Sequence, residues 1–365
     1  MGSITSPSHA ALIDALQRAT LRCLRYGALP LVLLSGMLFA QTQVTPSTVD
    51  PAAESDTHAS QQTNDQQPED SQTVLKVNVH EVPVYFVVHD KHGGLVPDLP
   101  KDDFQVYDNG KLQTIKTFRK DTDRPLTLGL MVDTSPSQTR VLGDEKEAGA
   151  EFIRQVLTPK DEAFLISFSQ EVSLDQDTTS DKQALIRTLD KEKIVCPQAA
   201  NAGIPGVGQG PLPQSGRGGC TLLFDAVYLA TTEKLKNEAG RKALIFLTDG
   251  GDQGSKMRLR DAIEAAQKTD TICYVILISD SGQGNAGDMR HLAEETGGRM
   301  INVGNNYEKL KKAFDQIGQE LRTQYELSYT PTDEKTDGSF HKIDIKTKSS
   351  DNKVQARKGY YAPEE

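Results

Sequence analysis

The sequence predicts an α/β fold in which a Rossmann-like, doubly wound and mostly parallel sheet is inserted into a small β-sandwich. Between residues 125 and 323, apolar runs alternate with helical patterns, which indicates a sheet covered by helices on both faces. Only strand patterns occur in residues 74–120 and again in residues 324–365. Because each flank is too short to fold alone, we expect the N- and C-terminal strands to form one sandwich together.

Both flanks show strand signals. The first contains VPVYFVVHD (82–90) and FQVYDNGKLQTIKTF (104–118), and the second contains YELSYT, SFHKIDIKTK and KVQARKGYY. Asn109-Gly110 lies between alternating residues, which is typical of a two-residue hairpin turn. Pro83 favours an edge or the start of a strand, because proline cannot donate a backbone hydrogen bond.

The central region supplies the elements of the doubly wound sheet. Its predicted strands are LTLGLMVD (126–133), EAFLISFS (162–169), KALIFLTD (242–249), TICYVILISD (271–280) and the weaker RMINV (299–303). The predicted helices cover residues 143–157, 181–192, 221–236, 258–269, 288–296 and 307–324. Their apolar residues recur at helical spacing, so we expect each helix to cover one face of the sheet.

Composition excludes some classes of partner. The 365 residues carry a formal net charge of -10, and 25% of them are charged. Nucleic acids and anionic membranes attract basic surfaces. We therefore expect neither as the main partner.

The N-terminus resembles an export signal. Arg18, Arg22 and Arg25 precede the apolar stretch 28–40, which ends in Ala40 before a polar segment. This order is typical of a secretory signal peptide over residues 1–40, and the apolar stretch is shorter than the roughly 20 residues of a membrane span. A buried helix or an uncleaved anchor is the alternative. Residues 41–73 are polar and are expected to be a disordered linker. Since the signal peptide directs export, we expect the mature protein to be periplasmic, surface-bound or secreted, without a transmembrane span.

If the protein is exported, its compartment favours disulfide bonds between cysteines. Cys196 and Cys220 flank a stretch rich in glycine and proline, and in an oxidising compartment we expect them to form a disulfide. By the chain-entropy argument, closing such a loop stabilises the fold by roughly 3 kcal/mol. Two reduced cysteines in a cytosolic protein is the alternative. Cys273 lies within an apolar run and is expected to be a buried thiol.

A short polar motif follows the first strand of the central region. Asp133, Ser135 and Ser137 form an Asp-x-Ser-x-Ser pattern at the carboxyl end of LTLGLMVD, which is where ligands bind in open α/β sheets. One carboxylate and two hydroxyls at alternate positions are oxygen ligands that suit a hard divalent cation, with Mg²⁺ as the first candidate. An ordinary turn would use the same residue types.

Two later residues extend this pattern. Thr221 opens a predicted helix, and Asp249 ends the predicted strand KALIFLTD. The carboxyl ends of parallel strands share one edge of the sheet. We therefore expect Thr221 and Asp249 to lie near Asp133, Ser135 and Ser137.

These motifs together resemble the von Willebrand factor type A domain. DTSPS (133–137), Thr221 before LLFDAV, FLTDG (246–250) and LAEETGG (292–298) occur in the order found in that family. The flanks resemble a related group of secreted bacterial proteins. The resemblance implies a metal-ion-dependent adhesion site in which Ser135, Ser137 and Thr221 bind Mg²⁺ directly, while Asp133 and Asp249 act mostly through water. Mn²⁺ or Ca²⁺ are alternative ions.

The resemblance implies a function in protein binding. Mg²⁺ bound by neutral hydroxyls and water-bridged carboxylates is only partly neutralised, so an Asp or Glu of a partner protein gains by completing its shell. We therefore expect an exported adhesion module and not an enzyme. The alternatives are a domain merely braced by its metal, or a hydrolase or nucleotide-binding enzyme that uses the same edge of the sheet.

Few features of the sequence support the enzyme alternative. Gly282, Gly284 and Gly287 match a dinucleotide-binding spacing, but they follow a late strand and no acidic residue ends a strand about 20 positions later. Neither an HExxH nor a GxSxG motif occurs in the sequence.

Overall fold

The protein is described by a computed structural model that covers residues 80–120, 124–195, 221–279, 285–333 and 335–364. The predicted signal peptide (1–40), the predicted linker (41–73) and the predicted Cys196–Cys220 disulfide lie outside these residues. Gly282 and Gly284 of the glycine-rich loop also lie outside them.

The described residues form strands at both ends of the chain and alternating strands and helices between them. The strands are β1 (Val82–His89), β2 (Phe104–Asp108), β3 (Lys111–Gln113), β4 (Ile115–Lys120), β5 (Leu126–Asp133), β6 (Glu162–Phe168), β7 (Val172–Thr179), β8 (Arg241–Thr248), β9 (Thr271–Leu277), β10 (Met300–Asn302), β11 (Tyr325–Tyr329), β12 (Phe340–Thr347), β13 (Lys353–Ala356) and β14 (Gly359–Tyr361). The α-helices are α1 (Leu142–Val156), α2 (Lys182–Lys191), α3 (Leu223–Leu229), α4 (Leu259–Lys268), α5 (Ala286–Thr296) and α6 (Tyr307–Arg322). Short 3-10 helices span Lys101–Asp103 and Pro136–Arg140, and α3 continues as a π-helix over Ala230–Leu235.

The central sheet has six strands in the order β10-β9-β8-β5-β6-β7. All neighbours are parallel except β6 and β7, which are antiparallel. One face packs against α1, α2 and α6, and the other packs against α3, α4 and α5. All eight residues of β5 are buried, as an apolar run at the centre of a covered sheet requires. The predicted doubly wound, mostly parallel sheet is confirmed.

The sequence analysis missed one strand of this sheet. β7 is the polar segment VSLDQDTT at the sheet edge, and none of its residues is fully buried. An edge strand buries little side-chain surface, so it lacks the apolar run by which the other strands were recognised.

Strands from both ends of the chain form two further four-stranded sheets. Their orders are β13-β1-β11-β4 and β14-β12-β2-β3. One apolar core lies between them, with Phe86 and Phe104 from the N-terminal flank and Tyr325 and Tyr360 from the C-terminal flank. The predicted β-sandwich built from both flanks is therefore part of the fold, while the domain boundaries at 120, 125 and 323 stay predictions.

Two local features agree with the residues that form them. Asn109 and Gly110 both have positive φ, 48° and 79°, as the tight turn between β2 and β3 requires. Helix α5 ends at Thr296 and is capped by Gly297, whose φ is 90°. A Cβ on the next residue, Gly298, would lie 2.1 Å from the carbonyl oxygen of Cys273. The two glycines thus allow the chain to pass close to β9. Cys273, within β9, is buried, as the sequence predicts.

No helix among the described residues is long and apolar enough to cross a membrane.

Candidate metal centre

Asp133 is the last residue of β5, and its side chain is fully buried. Its Oδ1 accepts a hydrogen bond from the backbone N–H of Ser135 at 2.9 Å. Its Oδ2 accepts one from the Thr248 hydroxyl at 2.7 Å. Because Thr248 ends the neighbouring strand β8, the two central strands of the sheet are joined at their carboxyl ends by this carboxylate.

Ser135 and Ser137 follow on the loop that leaves β5. Ser135 has φ -68° and ψ 158°, the extended geometry that a following proline favours, and Pro136 begins the 3-10 helix. The Ser135 and Ser137 hydroxyls form a hydrogen bond with each other, and their Oγ atoms lie 2.9 Å apart. Two neighbouring ligands of an octahedral Mg²⁺ ion, each about 2.05 Å from it, are about 2.9 Å apart. The hydroxyls are therefore spaced as adjacent ligands of such an ion would be.

Asp249 lies on the loop that follows β8. It is partly exposed, and its Oδ1 accepts a hydrogen bond from the Gly251 N–H at 3.2 Å. Because β8 pairs with β5 in parallel, Asp249 and Asp133 lie at the same end of the sheet. The negative charge of Asp249 raises the pKa of Asp133. Gly250 has φ 84°, a conformation that allows the loop to turn sharply after Asp249.

Thr221 is buried and lies where two loops of this rim meet. Its carbonyl accepts a hydrogen bond from the Gln253 N–H at 2.9 Å, which ties it to the loop after Asp249. The next residue, Leu222, donates its N–H to the Ser169 carbonyl at 3.0 Å, at the end of β6. The carbonyl of the preceding Phe168 accepts from the Thr134 N–H. Backbone hydrogen bonds thus place Thr221 on the same rim as Asp133.

The rim loops are also braced by two aspartates that the sequence analysis did not assign. Asp252 Oδ1 accepts from the Phe224 N–H at 3.2 Å, at the start of α3. Asp225 accepts from the N–H groups of Lys256 and Met257, at 2.9 and 2.8 Å. These bonds hold the beginning of α3 against the loop after β8, and so they fix the position of Thr221.

Burial raises the pKa of Asp133 to about 6, from its ordinary value of 3.8, and the charge of Asp249 acts in the same direction. The hydrogen bonds from Ser135 and Thr248 oppose this rise, because they stabilise the charged form. A cation beside Asp133 would also stabilise its charged form. A positive charge beside Asp133 would therefore have a large effect on the pKa of this carboxyl group.

Glu145 is a second buried acid that the sequence analysis missed. It lies on α1, it is fully buried, and both its carboxylate oxygens lack a hydrogen-bond partner within the described part of the chain. Burial raises its pKa well above the ordinary value, and the charges of Asp133 and Asp249 raise it further. A charged residue on the apolar face of a predicted helix is the sequence signal that would have identified it.

The donor set fits a hard divalent cation. In the described ranges, no group of three or more His, Cys, Asp and Glu side chains is arranged to hold a metal ion. A cation here would therefore depend on the hydroxyls as well as on the carboxylates. Hydroxyl, carboxylate and water oxygens are ligands that Mg²⁺ and Ca²⁺ accept. The roles of Asp133, Ser135, Ser137, Thr221 and Asp249 as ligands stay a prediction.

Solved structures of low overall similarity align with 53% to 57% of this chain. No family model matches the chain, and no curated protein matches it. Among solved structures, BatB from Bacteroides thetaiotaomicron is 18% identical over 53% of this chain and 98% of its own, with a TM-score of 0.39. Proximal thread matrix protein 1 from the mussel byssus, with a zinc-occupied MIDAS motif, is 15% identical over 57% of this chain and 48% of its own, with a TM-score of 0.44. The PilB minor pilin from Streptococcus sanguinis is 14% identical over 55% of this chain and 62% of its own, with a TM-score of 0.42.

The α/β domain carries the motifs that resemble the von Willebrand factor type A domain. The strand order and the covering helices are those of a doubly wound sheet. Three of these motifs meet at one rim of that sheet: the Asp-x-Ser-x-Ser motif begins at the last residue of β5, Thr221 precedes α3, and Asp249 follows β8.

Proposed function

We propose that this chain is an exported protein-binding module, and not an enzyme. Its von Willebrand factor A-like domain would bind Mg²⁺ at the rim and use the ion to engage an acidic side chain of a partner protein. The observation that carries the proposal is the arrangement around Asp133. Its buried carboxylate accepts a hydrogen bond from the Ser135 N–H, and the Ser135 and Ser137 hydroxyls lie 2.9 Å apart.

Exposure supports a site that faces a partner. Asp133 and Ser135 are buried, whereas Ser137 is exposed and Asp249 is partly exposed. An ion held by these residues would be supported from the protein side and open toward solvent. Mg²⁺ keeps several of its waters in such sites, and a carboxylate from a partner is the kind of ligand that replaces one.

Net charge supports a role for the ion in recognition. The chain carries a formal charge of -10, so an acidic partner surface is repelled at long range. A divalent cation at the rim supplies local positive charge. Binding of an acidic partner should therefore depend on the ion and be abolished by a chelator.

Cation binding can be tested by calorimetric titration of Mg²⁺ into the protein after its removal with a chelator. The wild type is expected to bind, and Asp133→Ala is expected to lose the binding. Asp344→Ala removes an exposed carboxylate from β12 and serves as the control. Equal heats of binding for the wild type and Asp133→Ala would contradict the metal site.

Recognition can then be tested by capture of partners from a cell-envelope extract in Mg²⁺ and in chelator. A protein whose capture requires Mg²⁺, and which is lost in Asp133→Ala but kept in Asp344→Ala, would support metal-dependent adhesion. If the ion only braces the loops, the captured proteins will be the same with and without chelator, provided that circular dichroism shows the fold intact.

A further inference from the structure

The position of Glu145 connects helix α1 with the rim of the sheet. Leu142, Glu145, Gly149 and Phe152 recur at helical spacing and are all buried, so they lie on the face of α1 that covers the sheet. A Cβ on Gly149 would lie 3.7 Å from a methyl group of Leu130 in β5. Glu145 lies about one turn, roughly 5 to 6 Å, toward the N-terminus of α1.

That direction leads toward the carboxyl end of β5. Helix α1 follows β5 through the loop of the Asp-x-Ser-x-Ser motif, so the helix begins at the rim where the strand ends. The charge that acts most strongly on Glu145 is that of Asp133, followed by that of Asp249. Glu145, in the first turn of α1, therefore lies on the part of this helix that is near the candidate metal centre.

Among the residues that the structure describes, no basic group pairs with the Glu145 carboxylate. Both oxygens lack a hydrogen-bond partner within the described residues, and the three charges that act on it, from Asp133, Asp249 and Asp144, are all negative. The ammonium group of the adjacent Lys146 instead donates a hydrogen bond of 3.0 Å to the backbone carbonyl of Glu192. A buried acid without a partner is costly, and such a group calls for an explanation such as a bound ion.

We propose that Glu145 is a third acidic group of the cation site, which stabilises the bound ion through the ion's water shell from the side of α1. This inference rests on the cation binding proposed above and adds a residue outside the Asp-x-Ser-x-Ser, Thr and Asp set. Action through water agrees with the absence, among the described residues, of a cluster of three acidic side chains that could hold an ion directly. The added negative charge strengthens the hold on the ion and reduces the positive charge that remains for an acidic partner.

The proposal predicts two opposite effects of Glu145→Gln. In chelator the variant should unfold at a higher temperature than the wild type, because the amide keeps the shape of the side chain but removes an uncompensated acid. Its affinity for Mg²⁺ should fall, on the order of 10-fold, as is typical when a group that supports a metal site is removed. The addition of Mg²⁺ should therefore raise its unfolding temperature less than that of the wild type.

Asp144→Asn is the matched control. It removes the same charge from the adjacent position, but Asp144 is exposed, so both the stability and the Mg²⁺ affinity should stay close to those of the wild type. Thermal unfolding and calorimetric titration of the three proteins decide the question.

Each outcome of this experiment has a distinct meaning. If the wild type binds Mg²⁺ and Glu145→Gln binds it equally well, Glu145 does not belong to the site and the proposed function still stands. If Glu145→Gln is less stable than the wild type in chelator, or does not fold, the side chain has a structural role and the inference is wrong. If the wild type itself does not bind a divalent cation, the proposed function fails first.

Discussion

The Thr248 hydroxyl donates a hydrogen bond of 2.7 Å to the buried carboxylate of Asp133, across the two central strands of the sheet. The same hydroxyl accepts a hydrogen bond from the Gly250 N–H at 3.0 Å. Thr248 therefore connects the residue behind the candidate metal site with the loop that carries Asp249. Neither bond could be inferred from sequence, because Thr248 lies within an apolar run and reads as part of a buried strand.

Substitution of Thr248 by valine should weaken Mg²⁺ binding without unfolding the protein. The loss of a hydrogen bond to the charged form of Asp133 should raise the pKa of that group further, so that protons compete more strongly with the cation. We expect the affinity to fall by roughly 10-fold to 100-fold, the range seen when residues that orient metal ligands are removed. Calorimetry would measure the change.

Two variants control for the Thr248 substitution. Thr231→Val removes another buried hydroxyl, one that bonds only to backbone carbonyls of its own helix, and it should leave Mg²⁺ affinity unchanged. Thr248→Ser retains the donor and should recover most of the binding. Unchanged affinity in Thr248→Val would show that the hydroxyl does not support the site.

The pKa of Asp133 predicts how stability depends on pH in the absence of a cation. The folded value is about 6 and the ordinary value is 3.8, so the folded state binds more protons than the unfolded state between about pH 4 and pH 6. Stability should therefore fall as pH rises through this window and should level off above it. A pKa rise of this size corresponds to about 3 kcal/mol.

Asp133→Asn should lack this contribution, because it carries no titrating group at the site. Urea unfolding in chelator at pH 4.5 and pH 7 measures the difference, and these two conditions bracket most of the roughly two-unit window. The wild type should lose more stability between them than the variant does. Equal losses would mean that Asp133 titrates near its ordinary pKa in the folded protein.

The sequence predicted the fold better than it predicted the polar interior. The strand LTLGLMVD was predicted at residues 126–133, and β5 has these bounds, because a covered central strand is recognised by its apolar residues alone. Glu145 and β7 were missed for opposite reasons. Glu145 is a charged residue where an apolar one is expected, and β7 is polar because it lies at an edge. In both cases tertiary contacts, which local patterns do not contain, determine the environment of the residue.

The β-sandwich contains a buried polar network that the sequence analysis did not anticipate. Asp108 accepts hydrogen bonds from the hydroxyls of Tyr329 at 3.0 Å and Tyr360 at 2.9 Å, and its Oδ1 lies 2.9 Å from His341 Nδ1. Burial raises the pKa of both tyrosines, so their hydroxyls stay protonated and remain donors. The network joins β2 of the N-terminal flank with β11, β12 and β14 of the C-terminal flank.

Asp108→Ala should destabilise the protein by about 3 to 5 kcal/mol, because it leaves three buried polar groups without their shared acceptor. Asp344→Ala removes an exposed acid from β12 and should change stability by less than about 0.5 kcal/mol. Urea unfolding measures both. A small effect of Asp108→Ala would indicate that water replaces the carboxylate and that the network does not hold the two flanks together.

The last prediction concerns the bond between Cys196 and Cys220. The residues next to them are anchored at the same rim, since the Val195 N–H donates to the Thr134 carbonyl at 2.9 Å and Thr221 pairs with Gln253. Thr134 in turn bonds to Phe168, and Leu222 bonds to Ser169. Val195 and Thr221 therefore lie at neighbouring points of the candidate metal centre, which favours a disulfide between Cys196 and Cys220.

Mass spectrometry of unreduced peptides from the exported protein should find Cys196 linked to Cys220, and Cys273, which is buried at 0% exposure, as a free thiol. Reduction of the bond should lower stability by roughly 3 kcal/mol on the chain-entropy argument. It should also weaken Mg²⁺ binding, because Thr221 directly follows Cys220 and would lose a constraint on its position. Two free thiols at 196 and 220 would contradict the prediction. An intact bond whose reduction leaves Mg²⁺ affinity unchanged would show that the hydrogen bonds to Gln253 and Ser169 suffice to position Thr221.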